Sequence, residues 1–402
     1  MYETGTVTAL DLGSTSFRAV VAGAAPEDSI AVWATAATPS RGMRDGKPID
    51  LPAVAEAVRG LLDEVWTSAS IEPGPVVVAL GGDEIRSLDT RVSMFLEERG
   101  VRVDQRHLDV LDRRVRAIDV PFDRVILHSL PVEYAVDDRG GLENPVGLVG
   151  TRLSLEAHVI TGSQSMAGAL RQAVALADAD VRALVYSGCA AAGYLLEEEA
   201  REQGALLIDI GAETTQFVLY SRGTMRKSGS VPVGAAHVTR DLAWGLDMDL
   251  GAAERAKRRW GSALRTRPAP VGTDRSLAPD PETLARLGAI CEARQQEILE
   301  LVAQALQWGV NRPKLGAGVI LTGGGARLRA TAELAEQVFG VQSACLRAPE
   351  DDQSTHPESW VVALGLSWFA LKEQQERPGR MAAEANGGRV LRPLRRLIAR
   401  LV

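Results

Sequence analysis

The sequence predicts an α/β protein built as two copies of one unit, with a dissimilar block set into the first copy. Three observations carry this. Residues 7–10 form an apolar strand candidate that runs into Asp11-Leu12-Gly13-Ser14-Thr15-Ser16, and another strand candidate follows at once. Residues 205–209 repeat the arrangement, ending in Asp209 and Gly211-Ala212-Glu213-Thr214-Thr215 before a second β-like run. Around both, strand-like runs alternate with helical apolar spacing, as in a duplicated α/β unit, although the copies share little sequence.

Taken in order, 17–21 and 30–34 read as strands, 53–65 as a helix, and Val76–Leu80 as a compact apolar strand that ends at Gly81-Gly82. Residues 84–162 are more charged and richer in β-branched residues, with one helix expected at 104–118. Helices follow at 166–177 and 190–199, then the strands 205–209 and 217–220, with 225–229 and 231–234 continuing the hairpin. Residues 237–260 and 282–306 read as mainly helical around a Pro-, Gly- and Ser/Thr-rich loop at 266–280. A strand at 319–321 leads into Thr322-Gly323-Gly324-Gly325 and a helix at 329–339, and a last helix at 359–372 closes the globule. The expected organisation is therefore a first half at 1–83 and 163–202, an insertion at 84–162 and a second half at 203–372 with its upper part at about 245–300. A polar linker at 373–388 and a tail at 389–402 complete it.

Composition bounds the function. The 402 residues, 46% hydrophobic and 24% charged, are too many for one ordinary core and unlike a disordered chain. Aromatics make up only 4%, which argues against base-stacking surfaces. The net charge of −7 hides an asymmetry. The tail holds five arginines (389, 392, 395, 396 and 400) and no acid, leaving 52 acids against 40 bases, a balance of −12, elsewhere. An acidic body with a short basic tail is not a general nucleic-acid binder. Cys189, Cys291 and Cys345 lie far apart with no CxxC pair, so neither a disulfide framework nor a zinc site is expected. The opening Met1-Tyr2-Glu3 lacks the start of a signal peptide, and the most apolar stretches fall short of the roughly 20 residues that span a bilayer. A cytoplasmic location is expected.

Three small-residue turns end strands, at 11–16, 209–215 and 322–325. Such turns let backbone N–H groups approach phosphate oxygens, and an Asp at a strand end can face a magnesium ion through its water shell. Any one of them alone is explained by an ordinary β-turn. In this order they resemble the actin-like ATPase fold, two halves around a nucleotide cleft. That resemblance implies ATP and magnesium as ligands. It places Asp11, Gly13, Ser14, Thr15, Ser16, Asp209, Gly211, Ala212, Glu213, Thr214 and Thr215 at the phosphates, with Asp11 and Asp209 toward the metal, and Gly323, Gly324 and Gly325 at the nucleoside. Glu254 and Lys257, three apart on one helix, resemble the pair that holds ribose and adenine there; an exposed ion pair would have the same spacing.

The insertion narrows the family. Ile126-Leu127-His128-Ser129-Leu130-Pro131-Val132-Glu133-Tyr134-Ala135-Val136-Asp137 and Asn144-Pro145-Val146-Gly147-Leu148-Val149-Gly150-Thr151-Arg152-Leu153 closely resemble segments of FtsA, the actin-like bacterial cell-division family. So does 319–340, and the likeness runs from about residue 6 to 372 and returns at the tail. It implies that 84–162 is the FtsA-type 1C subdomain, facing neighbouring subunits and later division proteins. It implies an ATP-binding protein that polymerises and tethers FtsZ to the membrane, the FtsZ C-terminal peptide docking within about 245–300. Departures bear on turnover. The family commonly reads Asp-Ile-Gly-Gly-Gly-Thr-Thr-Asp where this chain has Ala212, Glu213 and Gln216, and many relatives carry Lys at Ser16. Ser187 stands where related ATPases often place Glu or Gln and is a poor general base. ATP binding with weak or absent hydrolysis is the expectation.

In the tail, Leu391, Leu394, Leu397, Ile398 and Leu401 trace one helical face, and Arg392, Arg395, Arg396 and Arg400 mostly occupy the remainder. Pro393 is tolerated in a first turn, so the helix should start near Arg392. A free helix this short needs a surface to order it, and an anionic inner leaflet suits arginines and leucines so divided. Docking on its own globule would satisfy the same pattern. FtsA proteins resemble this chain in ending with a linker and an amphipathic targeting helix, which implies a peripheral protein at the cytoplasmic membrane face of the division site. Two other readings compete. Residues 11–18 also resemble exopolyphosphatase and guanosine-pentaphosphate phosphatase, but 161–167 lacks the catalytic Glu those enzymes require. PilM, a pilus-assembly relative, shares the core but not the basic tail.

Overall fold

The apolar runs before the two aspartates form the central strands of two sheets with one strand order. The computed structural model describes residues 5–26, 29–44, 46–97, 100–267, 279–310, 312–345 and 359–376. The tail at 389–402, the linker beyond Glu376 and most of the loop at 266–280 lie outside the described residues.

The first half opens with β1 (Thr6–Leu12), β2 (Ser16–Ala24) and β3 (Ile30–Pro39), then the short ribbon β4 (Met43–Arg44) and β5 (Lys47–Pro48), α1 (Leu51–Ala69) and β6 (Val76–Leu80). The insertion follows as β7 (Arg86–Phe95), β8 (Val101–Arg102), α2 (Gln105–Arg116), β9 (Arg124–Val136), β10 (Arg139–Leu142), β11 (Val149–Gly150) and β12 (Arg152–Ser163). The chain returns through α3 (Gln164–Leu176), β13 (Val181–Tyr186), α4 (Ser187–Leu195) and α5 (Glu198–Gln203). The second half comprises β14 (Ala205–Ile210), β15 (Thr215–Ser221), β16 (Thr224–Val231), α6 (Ala235–Gly245), α7 (Leu250–Trp260), α8 (Pro281–Leu306), β17 (Gly318–Thr322), α9 (Thr331–Phe339) and β18 (Ser343–Cys345). Finally α10 (Val361–Glu376) lies back on the first half.

The first sheet runs β13-β6-β1-β2-β3 and the second, read from its other edge, β18-β17-β14-β15-β16. In both, the aspartate strand pairs parallel with a later strand and antiparallel with its hairpin partner. The duplication expected from two Asp-ended strands is therefore a duplication of topology.

Alternation along the strands sorts the cores. Leu10, Phe17, Ala19 and Val21 meet Val58, Leu62 and Val65 of α1, while Ala9, Val20 and Ala22 meet Ala363, Leu366 and Phe369 of α10. In the second half, Leu206, Ile208 and Phe217 pack on Ile298 and Val302 of α8, whereas Leu207 and Val218 point the other way and join the first half's core. The halves thus share apolar packing beneath the cleft. Tyr186 adds a polar tie: its buried hydroxyl donates to Gly229 O at 2.8 Å and lies 3.2 Å from Phe217 O. We expect Tyr186→Phe to lower stability in denaturant unfolding by about 1–2 kcal/mol, because it deprives buried carbonyls of their donor.

The insertion is a four-stranded antiparallel sheet, β10-β9-β12-β7, whose Leu153, Leu155, Ala157 and Val159 pack on Leu108, Leu111 and Val115 of α2. Only its helix had been expected element by element. Three helices differ from expectation. The helix expected at 190–199 breaks into α4 and α5, because Leu196 is extended. The run at 237–260 divides at Asp247, which has φ +51°, and restarts where Asp249 caps Ala252 N at 2.8 Å. The closing helix runs to Glu376, four residues into the expected linker.

Candidate functional site

Between the halves lies a cavity of about 950 Å³. Its floor is built from the two hairpins. Strand pairing in the first ends at Leu12 opposite Phe17, which leaves Gly13-Ser14-Thr15-Ser16 as the turn. In the second it ends at Ile210 opposite Thr215, and Gly211 N donates to Thr214 O at 3.0 Å. The first amides of α6 are used on this turn, Ala235 N reaching Gly211 O at 2.9 Å and Ala236 N reaching Ala212 O at 2.8 Å. The second turn is therefore fixed to a helix, not left as a free loop.

Asp11 and Asp209 occupy equivalent positions, opposite Arg18 and Gln216 on their partner strands. Burial pushes the Asp11 carboxyl above its ordinary range, with Arg18 opposing. Asp209 is pushed up to about 7, first by burial and then by the negative charge of Asp11, again against Arg18. Two buried carboxyls, one raising the proton affinity of the other, favour a divalent cation for the same electrostatic reason.

Of the residues singled out in the sequence, Asp11, Gly13, Ser14, Thr15, Ser16, Asp209, Gly211, Ala212, Glu213, Thr214, Glu254, Lys257, Gly323, Gly324 and Gly325 all line this one cavity. Thr215 does not: its hydroxyl turns to donate to Val233 O at 2.8 Å. Gly323 has φ +82° and leaves no room for a side chain, since a Cβ would stand 2.2 Å from Asp209 Oδ1. The third turn is thus pressed against the second aspartate. At the far end, Glu254 accepts from Lys257 at 2.7 Å, from Thr239 at 2.6 Å and from Arg258 at 2.7 Å. Burial alone would raise the Glu254 carboxyl, but these donors outweigh it and bring it down to about 2. Lys257 also donates to Ala235 O at 3.0 Å, so the pair joins α7 to α6 as well as facing the cavity.

Residues 82–161 match the family described as "SHS2 domain inserted in FTSA", and residues 206–365 match "Cell division protein FtsA". Cell division protein FtsA of Escherichia coli is 31% identical over 354 residues, spanning 84% of this chain and 82% of that protein. The chain belongs to the FtsA family. FtsA of Neisseria meningitidis is 28% identical over 410 residues, spanning 98% of this chain and 97% of that protein. Among solved structures, a chain of the PilM-PilN type IV pilus biogenesis complex aligns with TM-score 0.64 at 19% identity, over 91% of this chain and 98% of that one. MreB5 of Spiroplasma citri bound to ADP aligns with TM-score 0.55 at 14% identity, over 93% of this chain and 98% of that one. These likenesses show the fold, that of the actin-like ATPases.

Several residues of this FtsA cleft gave no motif in the sequence. Arg240 of α6 chelates Glu213, and its hydrogen bond holds that carboxyl below its ordinary range. Gly81 and Gly82 close the floor from β6; a Cβ at Gly81 would meet Ser187 Oγ at 2.9 Å. Gln216, at a departure from the family pattern, reaches across to Gly82 O at 3.3 Å. Gln216 Oε1 and Ser187 Oγ are buried without a hydrogen-bond partner among the described residues. Orphaned buried polar atoms are costly and mark a place where a bound group could supply partners. Arg240 lies 27 residues beyond Glu213, and spacing alone could not have brought it back to the turn.

Proposed function

We propose that this chain binds magnesium ATP in the cleft, polymerises at the cytoplasmic face of the membrane and tethers FtsZ filaments there through its C-terminal helix. Membership of FtsA supports the division role over the polyphosphatase and pilus readings. The observation that carries nucleotide binding is the convergence of three turns and two coupled aspartates on one cavity. Phosphates would lie between the hairpins, against the backbone of Gly13–Thr15 and 211–214. Asp11 and Asp209 would hold magnesium, largely through its waters, since this ion typically takes one or two carboxylates and keeps the rest of its water shell. The nucleoside would lie between Gly323–Gly325 and the Glu254–Lys257 pair.

Hydrolysis would be slow. Ser187 begins α4 at the cleft floor with no carboxylate in its place, while Glu213 and Glu254 are both held ionised by cationic partners and are weak bases. The FtsZ C-terminal peptide would dock on the upper part of the second half, around α7 and α8. The insertion would face neighbouring subunits and other division proteins.

No helix among the described residues is long and apolar enough to cross a membrane. Anchoring would therefore rest on residues 389–402, whose arginines attract anionic headgroups at about 1 kcal/mol each. Deleting 389–402 should abolish flotation with anionic liposomes and leave thermal unfolding of the globule unchanged. The full chain should carry FtsZ to the same fraction in the presence of ATP. Undiminished flotation of the truncated chain would sink the anchor, and FtsZ left in the pellet would sink the tether.

A further inference from the structure

A carboxylate stands in the second hairpin turn, beside the path proposed for the phosphates. Glu213 lies between Ala212 and Thr214, its side chain only 16% exposed. It cannot swing aside with the backbone, because Gly211 and Ala212 are both bound to the first amides of α6. Nor does protonation relieve it at neutral pH, since Arg240 holds the carboxyl below its ordinary range. Its charge is balanced by the Arg240 guanidinium, bound through two parallel bonds of 3.1 Å from Nη1 to Oε1 and 2.8 Å from Nη2 to Oε2. Both side chains line the cavity.

Such a forked pair is usually a structural staple. Here the staple is redundant: two backbone hydrogen bonds already tie α6 to the turn. What the arginine adds is cancellation of a half-buried negative charge at the tip of a phosphate-facing turn. Unpaired, that charge would repel a terminal phosphate a few ångströms away, and the penalty would fall on the triphosphate far more than on the diphosphate.

We propose that Arg240 sets the preference of this cleft for a nucleoside triphosphate over a diphosphate, by neutralising Glu213. The proposal rests on the nucleotide site described above. It makes Arg240 a positioning and charge-setting residue, and it makes the departure at Glu213 tolerable only in company with that arginine.

The test is calorimetric titration of the full chain with magnesium ATP and magnesium ADP. Arg240→Ala should weaken ATP binding by about tenfold or more while ADP changes by less than about threefold. Arg240→Lys, which keeps the charge but not the fork, should retain most of the preference. Glu213→Ala combined with Arg240→Ala should return the ATP-to-ADP ratio to within about threefold of the parent. Both Arg240→Ala chains have lost the same ion pair, so a common loss of folding cannot produce opposite ratios. If Arg240→Ala weakens both nucleotides equally, or if the double variant fails to restore the ratio, the residue is a structural staple and the proposal falls. A parent chain that binds neither nucleotide overturns the site itself and this inference with it. A parent that binds ATP, with the ratio unmoved by Arg240→Ala, overturns only the inference.

Discussion

Gly323→Ala is expected to destabilise the protein by about 2–4 kcal/mol and to abolish nucleotide binding, the sum of a left-handed backbone penalty and overpacking. The position has φ +82°, and a Cβ there would stand 2.2 Å from Asp209 Oδ1 and 2.6 Å from Ile210 O. Neither neighbour can yield cheaply. Ile210 ends the central strand of the second sheet, buried and paired with Thr215, and Asp209 is one of the two carboxyls on which the site depends. Gly324 provides the control, because a Cβ there meets nothing within 4 Å. Gly324→Ala should cost well under about 1 kcal/mol, an ordinary surface value. Denaturant unfolding and nucleotide titration of the two variants compare them directly. Equal effects at 323 and 324 would show that the close approach to Asp209 is unimportant.

Asp209→Asn should stabilise the free protein at pH 8 by about 2 kcal/mol more than it does at pH 5. In the fold the Asp209 carboxyl is pushed up to about 7 by burial and by Asp11, above its value in the unfolded chain. A carboxyl raised in this way contributes stability that is complete below the unfolded value and is lost as pH rises through 7. The asparagine removes that loss. The same substitution should greatly weaken magnesium-dependent nucleotide binding. In the parent, binding should strengthen between pH 6 and 8 as the proton leaves Asp209. Thermal unfolding at the two pH values, with and without magnesium ATP, separates the effects. A variant less stable than the parent at pH 8 without ligand would refute the coupled-carboxyl account.

The two aspartate hairpins were legible in the sequence because everything that defines them is local: an apolar strand, an acid at its end, small residues in the turn. The long apolar periodicity of α1 and α8 was legible for the same reason. The sheet of the insertion was not, since β9 and β12 are long and bulged, and their pairing is set by contacts with each other and with α2. The break at Leu196 was equally hidden, because the alanines before it and the glutamates after it are all compatible with one helix. At the site, Arg240, Gln216 and Ser187 acquire their meaning only when three distant segments meet. Arg240 reads as a surface residue of a helix until α6 is folded back onto the turn at 211–214.

The chain passes between the halves twice, once from α5 into β14 and once from β18 back to α10. A body held to another by one strand can swivel about any axis. Held by two, and packed through Leu207 and Val218 against the other's core, it has far less freedom. Asp11 stands on one body and Asp209 on the other. The gap between two carboxyls is therefore also a gap between two bodies of the molecule, and whatever spans it ties one body to the other.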